Sequence, residues 1–235
     1  MLCKIADLLV EVPPVGNMPQ RCTEYLHPSA EPAQITIRPD RFHPEAFPQL
    51  SEEDMIYLET GLYFYYDLMD HNGMMLHASA VEMDGKAYLF SAPCGTGKST
   101  HARIWQKVFG EAAQVFNDDK PALRLVDGIW YAYGTPWCGK DGINQNKKLP
   151  LAGICFLKQA PENRIRRLNS QEAVSRLVSQ TLYQFRTARE LDRMLSIADK
   201  LVRQVPIFEL ENRPEPEAAR MSFEAMRLAA EEESV

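Results

Sequence analysis

A chain of 235 residues, 45% hydrophobic and 25% charged, has the composition of a water-soluble globule and excludes a disordered chain or a fibre. Lys and Arg number 26 against 32 Asp and Glu, a formal charge of −6 that argues against a broad nucleic-acid footprint and leaves room for a local basic pocket. No stretch approaches the roughly 20 apolar residues of a membrane helix, and no basic region followed by an apolar run opens the chain. The expectations are no membrane contact, no nucleic acid and a cytoplasmic location. The five cysteines, Cys3, Cys22, Cys94, Cys138 and Cys155, form no CxxC pair, so reduced thiols are expected. At about 150 residues per domain the length fits one domain over 1–235. Its expected parts are N-terminal strands and loops (1–50), a central core (51–158) and a helical C-terminal part (159–235).

In chain order, the first fifty residues mix short apolar runs (Ile5 to Val12, Ile35 to Ile37) with prolines, among them Pro39 and Pro44, that break any long helix. Short edge strands and loops are expected. Ser51 followed by Glu52, Glu53 and Asp54 reads as a helix N-cap, and Met55, Leu58, Leu62, Tyr65 or Tyr66, and Met69 recur at helical spacing. Asn72-Gly73 ends that helix, and the aromatic run Tyr63 to Tyr66 reads as core packing. Met74 to Val81 and Ala87 to Ser91 then form a hairpin over the turn Met83 to Lys86. A helix is expected from Ser99 to Val108, followed by strands at 113–116, 123–126, 130–133 and 151–157. Helices over 169–182 and 187–203, a strand at 207–210 and a helix over 215–232 complete the chain.

Ala92-Pro93-Cys94-Gly95-Thr96-Gly97-Lys98-Ser99 matches the phosphate-loop pattern GxxxxGK[ST] everywhere but its first position, where alanine replaces glycine. An expected strand ends at Ser91 and a helix begins near Lys98, so the backbone N–H groups of Gly95 to Ser99 can converge on phosphate oxygens at a helix N-terminus. Gly95 and Gly97 supply the freedom for positive φ that such a cradle needs. Lys98 would place a cation between the outer phosphates, and the Ser99 hydroxyl would complete the shell of a bridging Mg²⁺. Cys94 reads as a small side chain tolerated in the loop.

Such a loop needs a carboxylate on a neighbouring strand, and Asn117-Asp118-Asp119 follows the run Gln114 to Phe116 roughly twenty residues later. One aspartate can hold the divalent ion while the other acts as general base; the residues leave open which is which. His77, in Met75-Leu76-His77-Ala78-Ser79-Ala80, is placed by strand alternation on the face of Met75 and Ser79.

Taken together, His-Ala-Ser-Ala at 77–80, Leu-Phe-Ser-Ala-Pro-Cys-Gly-Thr-Gly-Lys-Ser-Thr at 89–100 and Asn-Asp-Asp at 117–119 resemble the HPr kinase/phosphorylase family and its relatives, the ATP-dependent phosphoenolpyruvate carboxykinases. The resemblance covers residues 74 to 126 and reaches toward 158. It implies an α/β fold, a carboxykinase-like P-loop core with a mixed β-sheet flanked by helices. It implies an ATP-dependent kinase transferring the γ-phosphate to a hydroxyl acceptor, either a protein or peptide serine or a small molecule. ATP would be bound by Gly95, Thr96, Gly97, Lys98, Ser99 and Thr100, and Mg²⁺ by Ser99 and Asp119. Asp118, as base, His77 and Lys98 would be the catalytic residues. The chain lacks room for the large N-terminal portion of the carboxykinases, which argues against decarboxylating chemistry, and only Asp141-Gly142-Ile143-Asn144 echoes the C-terminal signature of the HPr kinases. A non-catalytic ATP-binding regulator and a small carboxykinase-like enzyme are the alternative readings, and a homo-oligomer is left open.

Gly134 to Lys140 reads as a loop over the site. Lys140, Lys147 and Lys148, and the cluster Arg164, Arg166 and Arg167, read as solvated charges. No role falls to His27, His43, His71 or His101.

Overall fold

A computed structural model describes residues 1–38, 48–181 and 187–232. Pro39, Pro44, His43 and Leu182, the expected end of one helix, lie outside the described residues.

The apolar run from Ile5 to Val12 cannot stay extended, because Ala6 and Asp7 both take positive φ (51° and 62°) and fold it into a hairpin. Strands β1 (Leu2–Ile5) and β2 (Leu8–Glu11) pair antiparallel. After the short helix α1 (Met18–Arg21), β3 (Ile35–Thr36) joins β2 in parallel to make a three-stranded sheet. This sheet packs against α2 (Glu52–Leu68) in a core that includes Tyr63, Phe64, Tyr65, Leu68 and Trp137, with Phe64 stacked on the indole at 4.7 Å. Ser51 caps α2 by accepting the Asp54 N–H at 3.1 Å, and Asn72 in the left-handed region (φ 56°) turns the chain out. The expected stripe of Met55, Leu58 and Leu62 is only half-buried, whereas Thr60, Gly61 and the aromatic run are buried. Helix α2 therefore buries most of its C-terminal half, and the periodicity alone understates the buried face.

The single strand expected over 74–81 is broken. β4 (Gly73–Met75) pairs with the strand Ala122–Val126, and β5 (Ala78–Met83) pairs with β6 (Lys86–Ser91) and with the strand Gln114–Asp119, so the chain changes partners at Leu76 and His77. The His77 N–H points to the Gln180 carbonyl (2.8 Å) instead of to a strand neighbour. Then follow α3 (Lys98–Phe109), β7 (Gln114–Asp119), β8 (Ala122–Val126) and β9 (Ile129–Tyr133). β10 (Lys148–Gln159) begins before the expected strand and runs past it, and β11 (Arg164–Arg167) is a strand where only a basic cluster was expected. Two helices, α4 (Ser170–Ser179) and α5 (Ala188–Val202), precede β12 (Ile207–Asn212) and α6 (Pro216–Glu232).

Among the described residues these strands form a nine-stranded mixed sheet, ordered β4-β8-β9-β10-β6-β5-β7, with β12 and then β11 added beside β10. Alternation sorts the residues of its centre to two faces. Leu89, Ile154 and Phe156 face Leu177, Met194, Ile197 and Leu201 of α4 and α5. Tyr88, Phe90, Cys155 and Leu157 face Trp105 of α3 and Met226 of α6. The fold is therefore a mixed α/β architecture, a mixed sheet with helices on both faces. No helix among the described residues is long and apolar enough to cross a membrane. All five cysteines are free thiols.

Candidate functional site

Strands β6, β10 and β12 are mutually parallel, so their C-terminal ends share one edge of the sheet, where ligands of α/β folds bind. The loop 92–97 leaves β6 at that edge and enters α3. Gly95 (φ 78°) and Gly97 (φ 111°) adopt left-handed backbone, and the Thr96 N–H closes onto the Pro93 carbonyl (3.2 Å). Ala92 is buried and free of positive φ, which is why alanine fits where the pattern asks for glycine. Lys98 turns its ammonium back onto the Ala92 carbonyl at 2.9 Å. Two cavities flank the loop. One, of about 500 Å³, lies against Pro93, Cys94, Phe156, Gln159, Arg176 and Gln180; the other, of about 350 Å³, lies against Thr96, Thr100, Gln159 and Asn212. A cavity of about 570 Å³ at Trp130, Pro150 and Val205 sits at the opposite, N-terminal ends of β6 and β12.

The two aspartates stay within β7, opposite Ser79 and Ala78 of β5, and not on a turn after the strand. Successive strand side chains leave on opposite sides, and the two carboxylates find different partners. Asp118 accepts the Ser79 hydroxyl at 2.6 Å and the Ser99 hydroxyl at 3.2 and 3.1 Å. Asp119 meets His77 Nε2 at 3.1 Å through Oδ1, while its Oδ2 accepts the Tyr57 hydroxyl at 2.8 Å and the Lys120 ammonium. The expectation paired Ser99 with Asp119 and left Asp118 apart. The serine instead rests on Asp118, which shares a face of the sheet with its cross-strand partner Ser79. The alternation that placed His77 with Met75 and Ser79 also fails, since His77 occupies the break between β4 and β5.

Loop 134–144 runs along β7, as expected of a segment over the site. Cys138 bridges to Asp119 and Asn144 to Asn117, and the Gly139 N–H donates to the Asp118 carbonyl. Gly134 is required by close approach: a Cβ there would lie 1.8 Å from the Gln145 carbonyl oxygen. Arg21 of α1 reaches the Cys138 carbonyl (3.2 Å) and lies over the Tyr57 ring.

Burial would raise the pKa of Asp119, but the His77 contact, the Lys120 charge and the Tyr57 hydroxyl outweigh it and hold the carboxyl well below the usual carboxylate range. Burial lowers the pKa of Lys98, against the pull of Asp119 and Asp118. Burial likewise lowers that of Lys120, which Asp119 opposes. Asp119 is thus anionic at neutral pH, in contact with the buried Lys120.

His77, Lys98, Ser99, Asp118 and Asp119 therefore gather at one edge of the sheet. Gly95, Thr96 and Gly97 form the loop beside them, and Thr100 lines the smaller cavity. Lys147 and Lys148 are drawn elsewhere, to Glu82 and Asp7, and Arg166 binds Glu172 and Glu209. Sequence reasoning missed Ser79, Tyr57 and Lys120. Ser79 stands inside the quoted His-Ala-Ser-Ala and Lys120 directly follows the aspartates, so proximity to the motifs was a usable signal for both. Tyr57 lies 62 residues from Asp119 and carried none. Among the described residues no cluster of three or more His, Cys, Asp or Glu side chains forms a metal cage.

A glycine loop at the strand ends with paired carboxylates beside it is the candidate site of this α/β chain. The family model of the SynChlorMet cassette protein ScmC matches residues 49–213, more than half of the chain, and the protein belongs to that family. No curated protein matches it. Among solved structures, the Hpr(Ser) kinase/phosphatase from Coxiella burnetii is similar with a TM-score of 0.40 and 12% identity, over 67% of this chain and 99% of that one.

Proposed function

We propose that the protein is an ATP-dependent phosphotransferase with a carboxykinase-like P-loop core, acting on a hydroxyl acceptor. The observation that carries this reading is the contact of the Ser99 hydroxyl, at the start of α3, with the Asp118 carboxylate, beside a second carboxylate already engaged by a histidine. The resemblance of residues 74 to 126 to the HPr kinases supports it.

Residues 95–99 would cradle the phosphates with backbone N–H groups, and Lys98 would exchange the Ala92 carbonyl for the outer phosphates. Ser99 and Asp118 fit Mg²⁺, being one hydroxyl and one carboxylate already in contact, the oxygen donors this ion takes together with substrate phosphates. When bound, that ion neutralises charge on the transferred group. Asp119 and His77 are left to face the acceptor, orienting its hydroxyl and receiving its proton. In this reading the two aspartates exchange the roles that resemblance implied, with Asp118 on the metal side and Asp119 on the acceptor side.

Calorimetry of ATP binding with and without Mg²⁺ tests the reading. Wild-type protein should bind ATP in a Mg²⁺-dependent manner, and Lys98→Ala should weaken that binding by about 100-fold, a scale typical of a lost charge-assisted contact to phosphate. Absence of ATP binding by the wild type, or unchanged affinity in Lys98→Ala, would overturn it.

A further inference from the structure

We propose that Lys120 and Tyr57 are positioning residues for phosphoryl transfer, clamping the Asp119 carboxylate onto His77 and away from the Ser99–Asp118 side of the site. This rests on the kinase reading above and assigns a role to two residues outside every motif that led to it.

The clamp is built from both carboxylate oxygens. Oδ1 is taken by His77, and Oδ2 receives both the Tyr57 hydroxyl and the Lys120 ammonium, so neither rotation of the carboxylate nor exchange of its oxygens is free. The two donors also hold one another: Lys120 Nζ lies 2.6 Å from the Tyr57 oxygen and 4.2 Å from the centre of its ring. The Lys120 backbone is pinned as well, because its carbonyl accepts both the Tyr65 hydroxyl and the Thr135 hydroxyl (2.8 Å).

Asp119 sits at φ +115°, a strained conformation for a residue with a Cβ, and such strain persists where surrounding contacts over-determine it. The ion pair of buried Lys120 with half-buried Asp119 is also a weak source of stability, since desolvating the lysine offsets much of its attraction; what the pair supplies is a fixed geometry. That geometry matters here because the Asp119 charge acts on Lys98, whose ammonium rests on the Ala92 carbonyl. An unclamped Asp119 would be free to pair with the lysine that the phosphates need and to leave His77 without its partner.

The test compares wild type with Tyr57→Phe, Lys120→Met and Lys120→Arg by two readouts. The first is the His77 imidazole ¹⁵N spectrum of the nucleotide-free protein, which reports the contact with Asp119 without any turnover. The second is hydrolysis of Mg-ATP, with water as acceptor. Tyr57→Phe should lower kcat by about 10-fold and Lys120→Met by about 100-fold, both with KM for ATP within about 3-fold of wild type, the split of an orienting defect rather than a binding one. Both should shift the His77 ring nitrogens, and Lys120→Arg should recover part of the loss. If Lys120→Met fails to fold, Tyr57→Phe, which keeps the ring in place, decides. Unchanged His77 signals in Tyr57→Phe, or kcat within 2-fold of wild type, would overturn the clamp. Wild-type protein that binds no ATP would instead overturn the kinase reading, and the His77 spectra alone would then settle whether the clamp exists.

Discussion

The loop at 92–97 and the aspartate cluster beside it are built in opposite ways. The loop takes its shape from its own backbone: two glycines with positive φ, a local turn from Pro93 to Thr96, and a lysine folded onto carbonyls five and six residues upstream. The cluster is assembled from the sheet break at His77, from Tyr57 on α2, from β7 and from loop 134–144. A local device tolerates change in the rest of the molecule, whereas a composite one depends on every element that supplies it.

The largest expected effect falls on the composite side. Asp119→Asn should reduce phosphoryl transfer by about 10³-fold, within the usual range for loss of a proton-handling group, while Mg-ATP affinity is kept. Asp118→Asn should instead lower the affinity itself and its dependence on Mg²⁺, as calorimetry would show. If the two variants behaved alike, the division between the carboxylates would be wrong.

Gly134→Ala comes next. Its Cβ would drive into the Gln145 carbonyl, and relieving that clash must displace the loop that lies along β7. A loss of about 3 kcal/mol in urea unfolding is expected, the upper end of overpacking costs. Gly95→Ala, with open space around the new methyl but positive φ, should cost only about 1 kcal/mol. A ranking in the reverse order would show the loop to be the more constrained region.

Between these lies an effect of pH on the anchor of the loop's helix. His101 of α3 is buried, with Nε2 3.1 Å from the Ser222 hydroxyl of α6, and burial pushes its pKa down from 6.5 to about 4. Above pH 6.5 the imidazole is neutral in both folded and unfolded chains and adds no pH dependence. Below it the unfolded chain takes the proton first, so stability falls as pH drops from 6.5 toward 4. At pH 5 the loss relative to neutral pH should be about 2 kcal/mol, and His101→Leu should abolish that component in paired urea melts. An unchanged pH dependence in the variant would assign the acid sensitivity elsewhere.

The same contrast explains what was legible in the sequence. Signals carried within a few residues held: Ser51 caps α2, and the glycines of the loop adopt the backbone their spacing implied, whereas α2 itself stops at Leu68 and Asn72 closes the short 3-10 turn that follows it. Features set by distant partners did not. The 74–81 run looks like one strand because each half is apolar, yet Met75 finds β8 and Ala78 finds β6 and β7. β11 is nearly all basic, and its strand state comes from pairing with β12, with Arg166 held by Glu209. The pairing of Ser99 with Asp118 follows from which face of β7 meets the loop, a choice made by the register with β5.

The order of strands in the sheet has a consequence for how the molecule opens. β10 pairs antiparallel with β9 through Lys148 to Pro150, then runs parallel between β6 and β12, so Ile154, Cys155 and Phe156 have strand partners on both sides. Releasing their amides to solvent requires parting strands contributed by segments about 65 residues before and about 53 after, which couples the breathing of this stretch to rupture of the sheet as a whole. In deuterium oxide these should be among the last amides to exchange, with protection approaching that of global unfolding, while the amides of 134–144, resting on isolated bridges, exchange through local opening.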